Sequence, residues 1–217
     1  MRKLLSEFIG TYFLVFCGAG SVVINEISGG AVTHLGIAIT FGLIVTAMVY
    51  SFGNISGAHI NPAVTISFAI INPEIRKEVP GYILSQCAGA TAASGTLYVM
   101  FPNLSRYGDT VPFGSIEQSF ILEIILTFLL MLVILLVVHQ GKEVGALAGI
   151  IIGFTVLLEA LFAGPISGAS MNPARSLGPA IFSGSIGVLW VYIFAPVIGA
   201  VLATICWKYL SVETDQE

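Results

Sequence analysis

The sequence predicts an all-α membrane protein with six transmembrane helices and two re-entrant half-helices in an inverted repeat. Three observations predict it: the composition, six long apolar stretches, and one short segment that occurs twice. Of the 217 residues, 56% are hydrophobic and only 9% are charged, and the mean hydropathy is +0.97. A soluble domain has about a quarter charged residues, so an ordinary soluble globule is excluded. The net charge of −4 is small and scattered, which argues against nucleic acid as a partner.

Six stretches have the length of about 20 mostly apolar residues that a membrane-spanning helix needs. Their apolar runs are long and continuous and do not alternate with polar residues, which favours helices over barrel strands. The predicted spans are about 5–26, 32–52, 81–102, 117–139, 145–164 and 186–210.

The basic residues predict how the spans are oriented. If the spans alternate in direction, six lysines and arginines fall on one side, whereas only Arg106 lies in a loop on the other. Because positive charge is enriched in cytoplasmic loops, both termini are predicted to lie in the cytoplasm of a multi-pass cell-membrane protein. The acidic tail, 211–217, is then a solvated cytoplasmic end. The six residues are Arg2, Lys3, Arg76, Lys77, Lys142 and Lys208.

An internal repeat divides the single predicted domain, 1–217, into two halves. The segment Ser56–Ala63 reads SGAHINPA, and Ser167–Ala174, about half the chain later, reads SGASMNPA. Repeat one covers about 1–102 and repeat two about 115–210. Each repeat holds three spans, and an odd number of spans gives the two halves opposite topology.

Each repeated segment contains the box Asn-Pro-Ala, which favours the start of a helix. Asparagine is a good N-cap, and proline is favoured in the first helical turn. Inverted topology then brings two short helices together, N-terminus to N-terminus, near the middle of the membrane. Each N-terminus carries about half a positive charge, which opposes cations and protons, whereas the amides can bind a neutral hydroxylic solute. The box residues are Asn61, Pro62, Ala63, Asn172, Pro173 and Ala174.

With these features the chain resembles the aquaporin, or major intrinsic protein, family over essentially its whole length. The resemblance includes the two boxes, a glutamate in the first span of each half (Glu7 and Glu123), and Arg175 after the second box. The run around the second box looks most like nodulin-like intrinsic proteins and their bacterial relatives. The resemblance implies a passive channel without cofactor or metal, in a lipid bilayer, assembled as a homotetramer with one pore per subunit.

The resemblance also implies a selectivity filter formed by Phe41, Ala160, Ala169 and Arg175. Water-selective members place histidine at the position of Ala160, and glycerol facilitators follow the arginine with aspartate where Ser176 stands here. Alanine in place of histidine removes a ring and widens the constriction. Such a pore is expected to pass water and small uncharged solutes and to exclude protons and ions. The resemblance suggests glycerol, urea and undissociated arsenous acid as solutes.

Several residues keep two interpretations at this point. Family resemblance implies that Glu7 and Glu123 hold the pore-loop backbone. His59 is expected to be a hydrogen-bonded residue of the pore wall, or else a gate that responds to protonation. Glu159 either points away from the pore and bonds to loop backbone, or lines the pore.

Other functions remain as alternatives. One is a strictly water-selective channel. Another is a secondary transporter, because inverted repeats and broken helices also occur there; it would need ionisable groups at the midplane, where the boxes supply neutral amides. An enzyme is disfavoured because the sequence has no nucleophile constellation, metal cluster or phosphate loop.

Overall fold

The computed structural model describes residues 1–211 and forms a bundle of helices. Beyond Ser211 the predicted acidic tail lies outside the described residues. Within residues 1–211 there is no β-strand, and six long helices are present, which confirms the predicted fold class. These are α1 (Arg2–Ile27), α2 (Thr33–Ser56), α4 (Val79–Met100), α5 (Ile116–Val138), α7 (Ala148–Ser167) and α9 (Leu189–Ser211).

Two helices of half that length, α3 (Pro62–Ile71) and α8 (Pro173–Ser183), follow the Asn-Pro-Ala boxes. Each begins at the proline, with the preceding asparagine as N-cap. The side chain of Asn61 accepts a hydrogen bond from the backbone N–H of Ala63. The side chain of Asn172 accepts from the backbone N–H groups of Ala174 and Arg175. The remaining helical segments are short: 3₁₀ turns at Pro73–Lys77 and Ser185–Val188, and α6 (Lys142–Gly145).

Five of the long helices are apolar enough by themselves to cross a membrane, and α4 is the exception. Its 22 residues are sufficient, since a helix rises about 1.5 Å per residue, but it carries many small and polar side chains. Gln86 and Ser94 on α4 are fully buried. A Cβ added at Gly89 of α4 would overlap the backbone carbonyl of Phe8 on α1. The low hydropathy of α4 therefore reflects close packing inside the protein.

Close approach at glycine recurs in the second half and between the halves. A Cβ at Gly199 of α9 would overlap the carbonyl of Ile124 on α5. This matches the overlap of a Cβ at Gly89 of α4 with the carbonyl of Phe8 on α1. A Cβ at Gly42 of α2 would likewise overlap the carbonyl of Gly153 on α7. Small residues let membrane helices approach until their backbones touch, so α1 pairs with α4, α5 with α9, and α2 with α7.

The bundle has an apolar exterior, and buried polar groups lie within its interior. Leu84, Phe154 and Phe194 are more than half exposed on the outer surface, whereas the side chains of Glu7 and Glu123 are fully buried. An exposed apolar surface around buried, hydrogen-bonded polar groups is the arrangement that a lipid environment requires.

Candidate channel and its constriction

A short non-helical segment precedes each half-helix, and both segments have the same unusual backbone. The C-terminal caps of helices α2 and α7 are Gly57 and Gly168, with φ of +86° and +85°. Two further residues in each segment have positive φ: Ala58 and Ile60 in the first, and Ala169 and Met171 in the second. Positive φ is strongly disfavoured for a β-branched residue such as isoleucine. The segments therefore need support from the surrounding structure.

Glu7 of α1 provides that support for the first segment. Its carboxylate accepts hydrogen bonds from Ser56 Oγ at 2.7 Å and from the backbone N–H groups of His59 at 2.9 Å and Ile60 at 2.6 Å. A fourth comes from Gln86 Nε2 at 2.7 Å. The buried carboxylate is thus fully hydrogen-bonded, as a buried charge must be, and it fixes the strained backbone.

Glu123 of α5 occupies the corresponding place in the second half. It accepts from Ser167 Oγ at 2.7 Å and from the backbone N–H groups of Ser170 at 2.9 Å and Met171 at 2.8 Å. It has three donors where Glu7 has four, because Pro196 stands in α9 at the position that matches Gln86 in α4.

The two asparagines meet where the half-helices begin. Asn61 Nδ2 donates to the carbonyl oxygen of Met171 at 2.8 Å, and Asn172 Nδ2 donates to that of Ile60 at 2.8 Å. Each amide oxygen simultaneously caps its own helix, at 2.9 Å to Ala63 N for Asn61. The structure therefore places the two boxes together, with the N-termini of α3 and α8 facing one another.

His59 lies in the wall of the first segment and is held by three neighbours. Its Nδ1 is 3.2 Å from Thr65 Oγ1. Its ring stacks on Phe68, with centroids 4.7 Å apart, and meets the edge of Tyr82 at 5.2 Å. The His59 ring therefore lines the cavity and is held by contacts on three sides.

A cavity of about 1200 Å³ runs past both boxes. It begins at the end of the bundle where both Lys3 and Lys208 lie, passes Asn61 and Asn172, and reaches Arg175. The N-terminal end of α1 and the C-terminal end of α9 therefore share one mouth. The lumen is continuous from that mouth to the predicted filter.

The four predicted filter residues line this same cavity. The guanidinium carbon of Arg175 lies 4.9 Å from the centre of the Phe41 ring, a cation–π distance. Arg175 Nη1 donates to the carbonyl of Gly108 at 2.8 Å, whereas its Nε has no hydrogen-bond partner among the described residues. The side chains of Ala160 and Ala169 are methyl groups, so Arg175 carries the one polar side chain among the four predicted filter residues.

The loop between the two halves contributes residues that the sequence analysis missed. Besides Gly108, which holds Arg175, Thr110 Oγ1 donates to Ser176 Oγ at 2.7 Å, one residue beyond Arg175. Within the loop, Arg106 Nε binds Asp109 Oδ1 at 2.7 Å. No local pattern marks Gly108 or Thr110, because each acts on a helix far away in the chain.

Glu159 agrees with only part of one of its two interpretations: it points away from the lumen but does not bond to loop backbone among the described residues. Its side chain is fully buried, it is absent from the lining of the cavity, and neither carboxyl oxygen has a hydrogen-bond partner within residues 1–211. The expectation that it bonds to loop backbone is therefore wrong, and the structure gives it no contact with the lumen.

Membrane-length helices, two half-helices that meet N-terminus to N-terminus and a lumen beside them define a membrane channel. The sequence profile of the family described as "Major intrinsic protein" matches residues 1–207, and the chain belongs to this family. The predicted resemblance is thereby confirmed.

Among its relatives, the chain is 50% identical over 210 residues to "Aquaporin NIP1-1" of Zea mays, covering 96% of this chain and 74% of that one. It is 47% identical over 210 residues to "Nodulin-26" of Glycine max, covering 96% and 77%. Among solved structures, it matches the aquaglyceroporin from Plasmodium falciparum with a TM-score of 0.82 and 27% identity, over 94% of this chain and 93% of that one. The chain is thus a multi-pass channel of the aquaporin family, of the type named NIP in its relatives, and not an enzyme.

Proposed function

We propose that the chain conducts water and small uncharged solutes, among them glycerol, urea and undissociated arsenous acid, and excludes protons and ions. The observation that carries the proposal is the composition of the constriction: Ala160 and Ala169 lie beside the lumen with Arg175 and Phe41. The methyl group of Ala160 leaves a wider lumen than a histidine ring at that position would. The family's passage of water and small solutes agrees with this assignment, and the structural match to an aquaglyceroporin agrees with glycerol as a solute.

In this mechanism Phe41, Ala160, Ala169 and Arg175 form the selectivity filter. The guanidinium of Arg175 lines the lumen and offers a hydrogen-bond donor to a solute hydroxyl, while the alanines and the Phe41 ring contact the carbon atoms of the solute. When a solute replaces its hydrogen bonds to water with hydrogen bonds to the filter, the free-energy cost of leaving water is small. Arginine remains protonated in proteins, so its charge repels cations at the same point.

The boxes form the second barrier, and Glu7, Glu123 and His59 support it. At Asn61 and Asn172 the positive ends of α3 and α8 meet, which disfavours a travelling proton or metal cation. A neutral molecule carries no net charge for that field to repel. Pro62, Ala63, Pro173 and Ala174 start the two helices and so direct their N-termini at the lumen.

We further propose a homotetramer in the cell membrane with both termini in the cytoplasm. Lys3 and Lys208 line the same mouth, which supports termini on one side, and the excess of basic residues there favours the cytoplasmic face. The single domain with repeats at about 1–102 and 115–210 belongs to the same proposal.

The test is a stopped-flow panel on proteoliposomes that measures water, glycerol, urea and arsenous acid permeability, with protein-free liposomes as the baseline. We expect water and glycerol permeability well above baseline, linear in the gradient and independent of any ion gradient. Fast water flux with baseline glycerol flux would show a strictly water-selective channel. Saturable flux that needs an ion gradient would show a transporter, and either result would overturn the proposal.

A further inference from the structure

The position of the Phe41 ring is limited on its outer side by helix α1. A Cβ added at Gly18 would overlap three carbons of that ring, Cδ1, Cε1 and Cζ. Gly18 is buried and does not line the lumen, whereas Phe41 does. The ring thus lies between the α1 backbone and the lumen, and it stands where it does because residue 18 has no side chain.

Arg175 stands on the lumen side of the ring and is itself held. Its guanidinium lies over the Phe41 ring at 4.9 Å, and its Nη1 is bound to the Gly108 carbonyl. Gly108 has φ +71° and rests so closely on α1 that a Cβ there would overlap Cα and the carbonyl of Ala19. Gly18 therefore limits the position of Phe41 directly. The next residue of the same helix, Ala19, limits the position of Arg175 through Gly108.

We propose that Gly18 is a positioning residue that sets the width of the constriction by determining how far the Phe41 ring stands from the lumen axis. The proposal rests on the function proposed above, in that Phe41 and Arg175 form the filter. A methyl group at residue 18 would overlap Phe41 Cε1, so it must push the ring away from α1 by more than about 1 Å to reach the carbon–carbon contact distance of about 3.5 Å. Arg175 is restrained by Gly108, so the displaced ring takes up lumen.

The chain supplies a matched control two residues away. A Cβ at Gly20, on the same helix, would meet Leu97 Cδ2 at 3.4 Å, which is ordinary van der Waals contact. Gly18→Ala and Gly20→Ala make the same chemical change and the same gain in helix propensity. Only the first of the two reaches the filter.

The experiment measures the ratio of glycerol to water permeability in proteoliposomes for wild type, Gly18→Ala and Gly20→Ala. We expect Gly18→Ala to lower the ratio about tenfold or more, the scale at which steric fit to a pocket discriminates, and Gly20→Ala to leave it unchanged. Equal ratios for the two variants would overturn the proposal.

A second arm uses Phe41→Leu, which replaces the ring with a shorter side chain. We expect Gly18→Ala to have little effect on the ratio in the Phe41→Leu background, because its target is gone. If Gly18→Ala alone fails to fold, recovery of folding in the double variant shows the same clash, and continued misfolding there rejects it.

Failure of the proposed solute range would be seen separately, in the wild type. If wild-type protein passes water but no glycerol, the broad range is wrong, and Gly18 is then tested on water permeability alone. In that case a lower water permeability for Gly18→Ala than for Gly20→Ala supports the positioning role, and equal values reject it.

Discussion

Asn61 and Asn172 each donate a side-chain hydrogen bond to the residue that precedes the other. The bonds, to Met171 O and Ile60 O, are both 2.8 Å long. Each amide also caps its own half-helix. One asparagine side chain therefore binds the non-helical segment of the opposite half and caps the helix that follows it in its own half. The two halves of the chain are thereby joined in the wall of the lumen, so a change at either asparagine affects both.

Replacing Asn172 with alanine should destabilise the protein by about 2 kcal/mol, the sum of a lost N-cap and one buried hydrogen bond. The N–H groups of Ala174 and Arg175 lose their acceptor and the Ile60 carbonyl loses its donor. Thermal or denaturant unfolding in detergent measures the change. The control is Asn72→Ala, which removes an exposed cap from Glu74 N that water can replace. Equal losses for the two variants would contradict the central role of Asn172.

Glu123→Gln should lower stability by about 3 kcal/mol, since hydrogen bonds to a charged acceptor contribute more than neutral ones. The new amide would direct a donor at the N–H groups of Ser170 or Met171, or at Ser167 Oγ, all of which need an acceptor. Unfolding free energy is again the measurement. Glu117→Gln, an exposed site on the same helix, should change it by less than about 0.5 kcal/mol. A stable Glu123→Gln protein with unchanged flux would show that the second segment needs no carboxylate.

Ala160→His should keep water permeability and reduce glycerol permeability about tenfold or more. A histidine ring at this lumen position narrows the constriction, and water is small enough to pass beside it. Stopped-flow measurement on proteoliposomes gives both permeabilities. Ala160→Ser is the control, since it adds one oxygen atom and should preserve glycerol flux. Unchanged glycerol flux in Ala160→His would remove residue 160 from the filter.

Glu159→Met should stabilise the protein by about 1–3 kcal/mol, the usual cost of a buried polar group without a hydrogen-bond partner. Both carboxyl oxygens of Glu159 are unpartnered within residues 1–211, and methionine is of similar length and apolar. The shift in unfolding temperature measures the effect, with exposed Glu143→Met as the control. A clear loss of stability in Glu159→Met would mean that the carboxyl has a function in the folded protein.

The elements that could be predicted from sequence are those that depend on local chemistry. Long apolar stretches predict membrane helices because unpaired backbone is not tolerated in lipid. Asn61 with Pro62, and Asn172 with Pro173, predict helix starts because capping and the proline ring act within one turn. The duplicated segment predicts that the two starts meet, since an odd number of spans inverts the second half. The filter positions, in contrast, were predicted from the resemblance to a known family.

The tertiary structure alone decided the contacts between residues that are distant in the chain. The low hydropathy of α4 makes sense only once its small residues are packed against α1. Gly108 acts on Arg175 and Gly18 gives space to Phe41, and no window of sequence contains either pair. Hydropathy and capping are properties of neighbours along the chain, whereas the width of a constriction depends on ångström distances between backbones that only packing brings together.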